Sequence, residues 1–331
     1  MHVLVTGGAG YVGANVVRAL LEAGHQVTAV DDLSSGHRAA VAAGAELLVG
    51  RCGDHDVLDG AAGPVDGIMH MAAKCSVGES MENPRDYYDT NVSESLQLLD
   101  WMLRRDVGWI IHSSTCAVYG TPAVLPLDET PPPQPINAYG ATKLAVDSAI
   151  GYYAAAYGRG GTCLRYFNAA GAQPDGTLGE DKTPASNLIP RVLGVPLGLH
   201  DDVQIFGIDH GTADGTGIRD YVHITDLAAA HIAAMDRLAA GLPGGIYNLG
   251  TETGSSVNEV LETARAVTGH PIPARAVDAR AGDPSKLVAS SGHARAELGW
   301  TPRRSALVTI IEDAWRWHST HPDGYADGAA S

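Results

Sequence analysis

Positive charge is scarce in this chain. Its 331 residues carry 22 lysines and arginines against 38 aspartates and glutamates, a formal net charge of −16. That balance repels nucleic acid and acidic membrane surfaces, so neither is expected as a partner. Only four of the cations are lysines (Lys74, Lys143, Lys182 and Lys286), which reads as compositional bias without mechanistic content. Cysteine is sparse too. Cys52, Cys75, Cys116 and Cys163 stand at neither metal-ligand nor redox-motif spacing. Free thiols in a reducing cytoplasm are expected, and no metal site. No apolar run approaches the length of a membrane span. Met1–Thr6 leads straight into glycines, so no signal peptide is expected.

What is present is a large core. Apolar residues make up 45% of the chain, enough for one large domain or two closely joined ones. Short apolar runs at His2–Thr6, Gln26–Val30, Glu46–Val49, Gly67–Met71, Gly108–Ser113 and Thr162–Tyr166 read as strands. Between them, Tyr11–Ala23 and the segments near 55–61, 84–105 and 137–157 read as helices, with Gly24 as a C-terminal stop. Strands alternating with helices predict an α/β fold: a Rossmann doubly wound parallel sheet. After Phe167 the rhythm changes. Residues 168–220 are rich in Gly, Asp, Pro and Thr. Helices are then expected at Ile224–Leu238, Val257–Val267 and Ser305–Trp317, and a strand at Ile246–Leu249. The expected division is a Rossmann domain over 1–166 and a smaller mixed α/β substrate domain over 167–331, with elements around 224–249 returning to the Rossmann sheet.

Gly7, Gly10 and Gly13 follow the first strand and open the first helix. Alone, such a trio describes many strand–helix turns. Here its position permits a tight turn and close approach of the backbone to a pyrophosphate, which the helix N-terminus would hold. Asp31 ends the second strand. A carboxylate there can hydrogen-bond adenine-ribose hydroxyls and would repel a 2′-phosphate, so NAD is favoured over NADP.

Tyr139 and Lys143 stand four residues apart, on one face of one helical turn. A free phenol titrates near ~10, too high for a base at neutral pH. A neighbouring cation is expected to lower it. Upstream, Ser113-Ser114-Thr115-Cys116-Ala117-Val118-Tyr119-Gly120 follows a strand, and ligands in this fold sit at strand carboxyl ends. Thr115 can hold a substrate oxygen there while Tyr139 moves its proton.

With these motifs the chain resembles the extended short-chain dehydrogenase/reductase superfamily and, within it, the UDP-glucose 4-epimerases. The resemblance covers nearly the whole chain. It also rests on Lys74–Ser80, Tyr87–Val92, Leu164–Ala172, Gly179–Asp181, Asn187–Pro190, Ile205–Gly207, Asp214–His223 and Arg280–Asp283. It implies Tyr139 as acid/base, Lys143 as its tuning residue, and Thr115 as holder of the sugar 4-oxygen. It implies contacts to NAD from Gly7, Gly10, Tyr11, Val12, Gly13, Asp31, Lys74, Asn91, Ser113, Tyr139, Lys143 and Tyr166. It implies contacts to a UDP-hexose from Thr115, Asn168, Asn187, Leu188, Gln204, Phe206, Arg219, Arg280, Asp283 and Leu287. Guanidinium suits phosphate independently of any resemblance, which supports Arg219 and Arg280. Leu287 reads equally well as a core leucine. A homodimer through the helices near 84–105 and 137–157 is a family expectation.

Three features depart from the family: Thr115 where serine is usual, Arg51 where an aspartate often sits near the adenine, and a short segment between Asp31 and Arg51. The rival activities are a 4,6-dehydratase, an epimerase of UDP-glucuronate or UDP-N-acetylglucosamine, and a non-catalytic NAD-binding regulator. A dehydratase would carry Asp-Glu or Glu after Thr115, where this chain has Cys116 and Ala117. The Arg165-Tyr166-Phe167-Asn168 segment favours the neutral hexose.

Overall fold

The structure is a computed structural model that describes residues 1–182, 185–279 and 284–325. The first half alternates as expected: β1 (His2–Thr6), α1 (Tyr11–Glu22), β2 (Gln26–Asp31), β3 (Glu46–Val49), α2 (His55–Leu58), β4 (Gly67–His70), α3 (Val77–Glu82), α4 (Pro84–Tyr88), α5 (Glu94–Arg104), β5 (Trp109–Thr115), α6 (Ala138–Tyr157) and β6 (Gly160–Tyr166). Then come β7 (Asn168–Ala170), α7 (Leu188–Leu193), β8 (Val203–Phe206), β9 (Ile218–Arg219), β10 (Tyr221–His223), α8 (Ile224–Ala239), β11 (Ile246–Leu249), β12 (Ser255–Ser256), α9 (Val257–Thr268), β13 (Ala274–Val277), β14 (Lys286–Leu287), α10 (Gly292–Leu298) and α11 (Leu307–Thr320).

Seven parallel strands form the main sheet in the order β11-β6-β5-β4-β1-β2-β3. β1, β4 and β5 are buried along their whole length, as parallel strands covered on both faces must be. Val16, Val17 and Leu20 of α1 pack with Leu227, Ala234 and Met235 of α8 on one face. Leu98, Trp101 and Met102 of α5 pack with Val146 and Ile150 of α6 on the other. The strand order reverses at β1, so a crevice opens at the carboxyl ends of β1, β4 and β5. A separate core joins α7, β8, α9 and α11 through Val192, Leu193, Val203, Leu261 and Ile311. A small seam of Cys116, Phe167 and Leu287 lies where the two parts meet.

Two expected helices differ. The one near 84–105 is broken at Asp89–Ser93 into a π-helical turn, which seats Asn91 in the interior. Such turns mark places where a side chain must be aimed off the regular helical spiral. The one near 55–61 is a single turn, capped by the Asp54 side chain. Residues 168–220 hold strands of only two to four residues, too short for a periodic signal.

Candidate active site

The glycines build a cradle for a diphosphate. Gly7 has φ +70, and a Cβ there would lie 2.6 Å from the Ala72 nitrogen. A Cβ on Gly13 would lie 1.9 Å from the Gly7 carbonyl oxygen, so helix and loop touch only because Gly13 lacks one. Gly10 caps α1 without a side-chain hydrogen bond, which leaves first-turn N–H groups for an anion. Val12 packs its side chain on the core and so offers a ligand only its backbone. The Tyr11 hydroxyl donates to the Gly171 carbonyl at 2.7 Å and ties that first turn to the loop after β7.

Asp31 sits at the end of β2, as expected, and also does something the sequence did not reveal. Its carboxylate accepts from the Ala9 N–H (3.0 Å) and the Leu33 N–H (2.9 Å), bracing the glycine loop from below. Burial raises its pKa, and these backbone donors oppose the rise. Each oxygen keeps a lone pair for a ribose hydroxyl. These residues fit NAD. Arg51 is spent on ion pairs with Asp89 and Glu94, so the aspartate usual in the family has no substitute there.

Asn91 holds rather than reaches. Its amide oxygen accepts from the Lys74 N–H (2.8 Å), and its nitrogen donates to the Lys74 carbonyl (3.0 Å) and to Thr142 (3.1 Å). It thereby fixes the segment that carries Lys74, whose ammonium lies 3.4 Å from Glu79 and 3.7 Å from Asp86.

The reacting groups converge at the end of β5. Asn137 caps α6 by accepting from the Gly140 N–H at 2.8 Å, which places Tyr139 in the first turn. A Cβ on Gly140 would fall 2.5 Å from the Ala117 carbonyl oxygen, so glycine lets α6 lie directly against the segment after Thr115. The Thr115 side chain lies close enough to the Tyr139 phenol to act on its pKa, and its hydroxyl accepts from the Ala117 N–H at 3.2 Å. Lys143 is 3% exposed and donates to the Ser113 carbonyl at 2.8 Å. The Ser113 hydroxyl is in close contact with the Tyr166 hydroxyl.

The electrostatics correct one expectation. Burial holds the Tyr139 phenol well above its ordinary pKa, Cys75 and Tyr166 push the same way, and the Thr115 side chain opposes them. Lys143 is not among the main influences on this phenol in the protein alone. It is itself desolvated, which lowers its pKa to about 8, against the pull of Asp147. Tyr139 is therefore a protonated phenol until a ligand adds positive charge or hydrogen bonds to its oxygen.

Beneath these groups lies a buried network that the sequence did not announce. Asp147, one turn after Lys143, accepts from Ser114 (3.0 Å) and from the Arg165 Nε (2.9 Å). Arg165 also donates to the Tyr119 hydroxyl, and Tyr119 to Asn248, each at 2.9 Å. Arg165 therefore acts in the core. Removing one partner of such a pair costs about 3–5 kcal/mol.

On the opposite side, Asn168 lies on β7, Gln204 and Phe206 on β8, and Arg219 on β9. β14 places Leu287 in register with Arg219, and Leu287 packs against Cys116 and Phe167, beside Thr115. The charge of Arg219 acts on Cys116, so it too lies near Thr115. Asn187 precedes α7 and donates to Glu180 at 2.6 Å, while Leu188 packs on the core under α7. Arg280 and Asp283 lie outside the described residues. Among the described residues, no cluster suits a metal ion.

The site thus joins a glycine cradle for a dinucleotide to a Thr-Tyr-Lys group at the head of β5. Residues 3–250 match the model of the NAD dependent epimerase/dehydratase family. The chain belongs to that family. It is 50% identical over 325 residues to the UDP-glucose 4-epimerase of Corynebacterium glutamicum, covering 98% of this chain and 97% of that one. It is 47% identical over 328 residues to the UDP-glucose 4-epimerase of Halalkalibacterium halodurans, covering 98% of each. It superposes with a TM-score of 0.91 on the crystal structure of UDP-glucose 4-epimerase from Brucella ovis in complex with NAD, at 39% identity over 95% of this chain and 97% of that one. The NAD in that family's description suits the glycine cradle and Asp31.

Proposed function

We propose that this chain is an NAD-dependent UDP-glucose 4-epimerase that interconverts UDP-glucose and UDP-galactose through a 4-keto sugar. The observation that carries the proposal is the contact of Thr115 with Tyr139, one turn from Lys143, at the carboxyl end of β5 beside the glycine cradle. Thr115 holds the sugar 4-oxygen. Tyr139 takes the hydroxyl proton as C4 is oxidised and returns it when C4 is reduced. NAD held by the Gly7–Gly13 cradle and Asp31 would supply a hydride acceptor that is regenerated within the cycle, so there would be no net redox change. The 4-keto sugar turns between the two half-reactions while its diphosphate stays anchored by Asn187, Arg219 and Arg280. Binding energy far from C4 thus supports the reaction. In this proposal residues 1–166 hold NAD and residues 167–331 mainly hold the UDP-sugar.

A 4,6-dehydratase is disfavoured. It needs an acid and a base directly after Thr115. Cys116 stands there, buried, with its thiol pushed up to about 12, and Ala117 has no titratable group. The four cysteines are free, which suits a cytoplasmic enzyme. Among the described residues no helix is long and apolar enough to cross a membrane. The exposed Tyr88, Leu96, Tyr152 and Tyr157 on the outer faces of α4, α5 and α6 suit a homodimer interface. The test is incubation of the purified protein with UDP-glucose, UDP-galactose and their N-acetyl and uronate analogues, without added NAD, and separation of the epimers. Interconversion of the neutral hexose pair is expected. A requirement for a stoichiometric oxidant, or loss of water from the sugar, would overturn the assignment.

A further inference from the structure

Glu180 is a buried carboxyl that the mechanism above does not use. It is 8% exposed and lies in the segment between β7 and α7. One oxygen accepts from the Asn187 side-chain nitrogen at 2.6 Å. On another side Glu180 is close enough to Tyr11, the first residue of α1, to raise the pKa of that phenol. The carboxyl therefore lies between the turn that receives the cofactor diphosphate and the asparagine assigned to the substrate diphosphate. We infer that Glu180 is a positioning residue that aligns Asn187 for the nucleotide diphosphate and takes up a proton when that diphosphate binds. The inference rests on the function proposed above.

The first half follows from hydrogen-bond chemistry. A backbone at φ −87 and ψ 151 puts Asn187 at the cap of α7, yet its side chain makes no capping bond there. Glu180 takes the amide nitrogen instead. The amide can then no longer rotate freely, and its oxygen and second N–H are turned to a fixed direction. The second half follows from charge. Burial pushes the carboxyl up to about 7, against the Asn187 hydrogen bond and the Lys182 ammonium. A diphosphate brought alongside disfavours the carboxylate further. Protonation leaves the carbonyl oxygen free to accept from Asn187, so alignment survives while repulsion is removed.

The surrounding groups are few. From α1 comes Tyr11, a neutral phenol, and beside it Tyr325. Within its own loop Lys182 reaches to 3.7 Å from the Cys75 sulfur, across the crevice. Asp181 turns the other way, to the Tyr325 N–H (2.8 Å) and toward the His37 ring (3.5 Å). His318, near Asp181, is held at about 4 by burial. Lys143, at about 8, titrates elsewhere in the site.

The test compares the holoenzyme with Glu180→Gln and Glu180→Ala. UDP-glucose is the probe, because its diphosphate is a diester that binds no proton near neutrality. Binding heats in two buffers of different ionisation enthalpy, from about pH 6.5 to about pH 8.5, give the protons taken up per ligand bound. Wild type is expected to take up a fraction of a proton that Glu180→Gln does not. Its affinity should fall by up to about tenfold per pH unit above the carboxyl pKa, and that slope should be absent in Glu180→Gln. A contribution from Lys143 persists in both proteins and cancels in the difference. Glu180→Gln keeps an oxygen for Asn187 and should hold KM near the low-pH wild-type value. Glu180→Ala should raise KM at every pH. Coincident uptake curves for wild type and Glu180→Gln, or no uptake by wild type at any pH, would overturn the inference and leave the epimerase assignment standing. Absence of UDP-glucose binding by wild type would overturn both.

Discussion

Replacing Gly140 by alanine is expected to leave a folded protein with about a hundredth of its turnover. The new Cβ would lie 2.5 Å from the Ala117 carbonyl oxygen and 3.0 Å from its carbon. Both are backbone atoms of the short turn that follows Thr115, and neither can swing away as a flexible side chain could. To restore ordinary contact, α6 and that turn must separate by about 1 Å. Overpacking of this kind costs about 1–3 kcal/mol. Alanine's helix propensity returns up to about 1 kcal/mol, so the net loss of stability is small. The larger effect is geometric. Tyr139 moves with α6 and Thr115 with β5, so the separation draws apart the two side chains that must act on one sugar oxygen. A misplacement of about 1 Å at reacting groups costs about 10²-fold in rate. The assay is kcat for UDP-galactose turnover alongside a thermal melt and a measure of bound NAD. Full turnover with a raised melting temperature would refute the reasoning, because it would mean that helix propensity decides and the contact with Ala117 does not.

Three further outcomes are expected. Tyr139→Phe should lose about 10²–10⁴-fold in kcat while retaining NAD, checked by turnover and by cofactor released on denaturation; a near-normal rate would remove Tyr139 as the acid/base. Lys143 has its folded pKa depressed to about 8 from 10.5 by burial, so the folded protein loses the ammonium as pH rises through about 8. Activity should fall there, while the unfolded chain holds more protons between the two values and the Lys143 contribution to stability rises with pH; Lys143→Met should lack both trends in paired rate and denaturation profiles. Leu287→Ala should narrow the kcat/KM gap between neutral hexose and N-acetyl sugars, by up to ~5- to 150-fold if a packed contact of ~1–3 kcal/mol is relieved; an unchanged ratio would place Leu287 in the core alone.

The sheet was legible because its signals are local. β1 is buried from end to end around the apolar run Val3-Leu4-Val5, and the glycines after it stand where strand must turn into helix. The spacing of Tyr139 and Lys143 needs only the helical repeat, and Thr115 needs only a strand before it. Roles that depend on distant partners were less legible. Arg165 stands in a buried strand, and nothing near it in sequence names Asp147, eighteen residues upstream, as its counter-charge. The ligand-free protonation of Tyr139 was illegible for the same reason. Four residues of spacing bring Lys143 to the correct face of α6, but burial sets both pKa values, and burial is a property of the assembled site.

Asn91 and Asn187 carry this distinction furthest. Each is an asparagine whose surroundings in sequence suggest a plain task, a helix interior for one and a helix cap for the other. In the fold neither performs it. Asn91 sits on a π-helical turn and grips the backbone of Lys74, seventeen residues away, and Asn187 leaves α7 uncapped in order to bond Glu180. An amide side chain can satisfy itself locally at little cost, so its choice of a remote partner needs a compensating reason. Here the reason is shared. Each asparagine fixes a segment on the rim of the crevice, one beneath Lys74 and one beside the proposed diphosphate site. Departures from local hydrogen-bonding preference thus fall where the ligand must be held, and that pattern becomes visible only once the strands have brought both rims together.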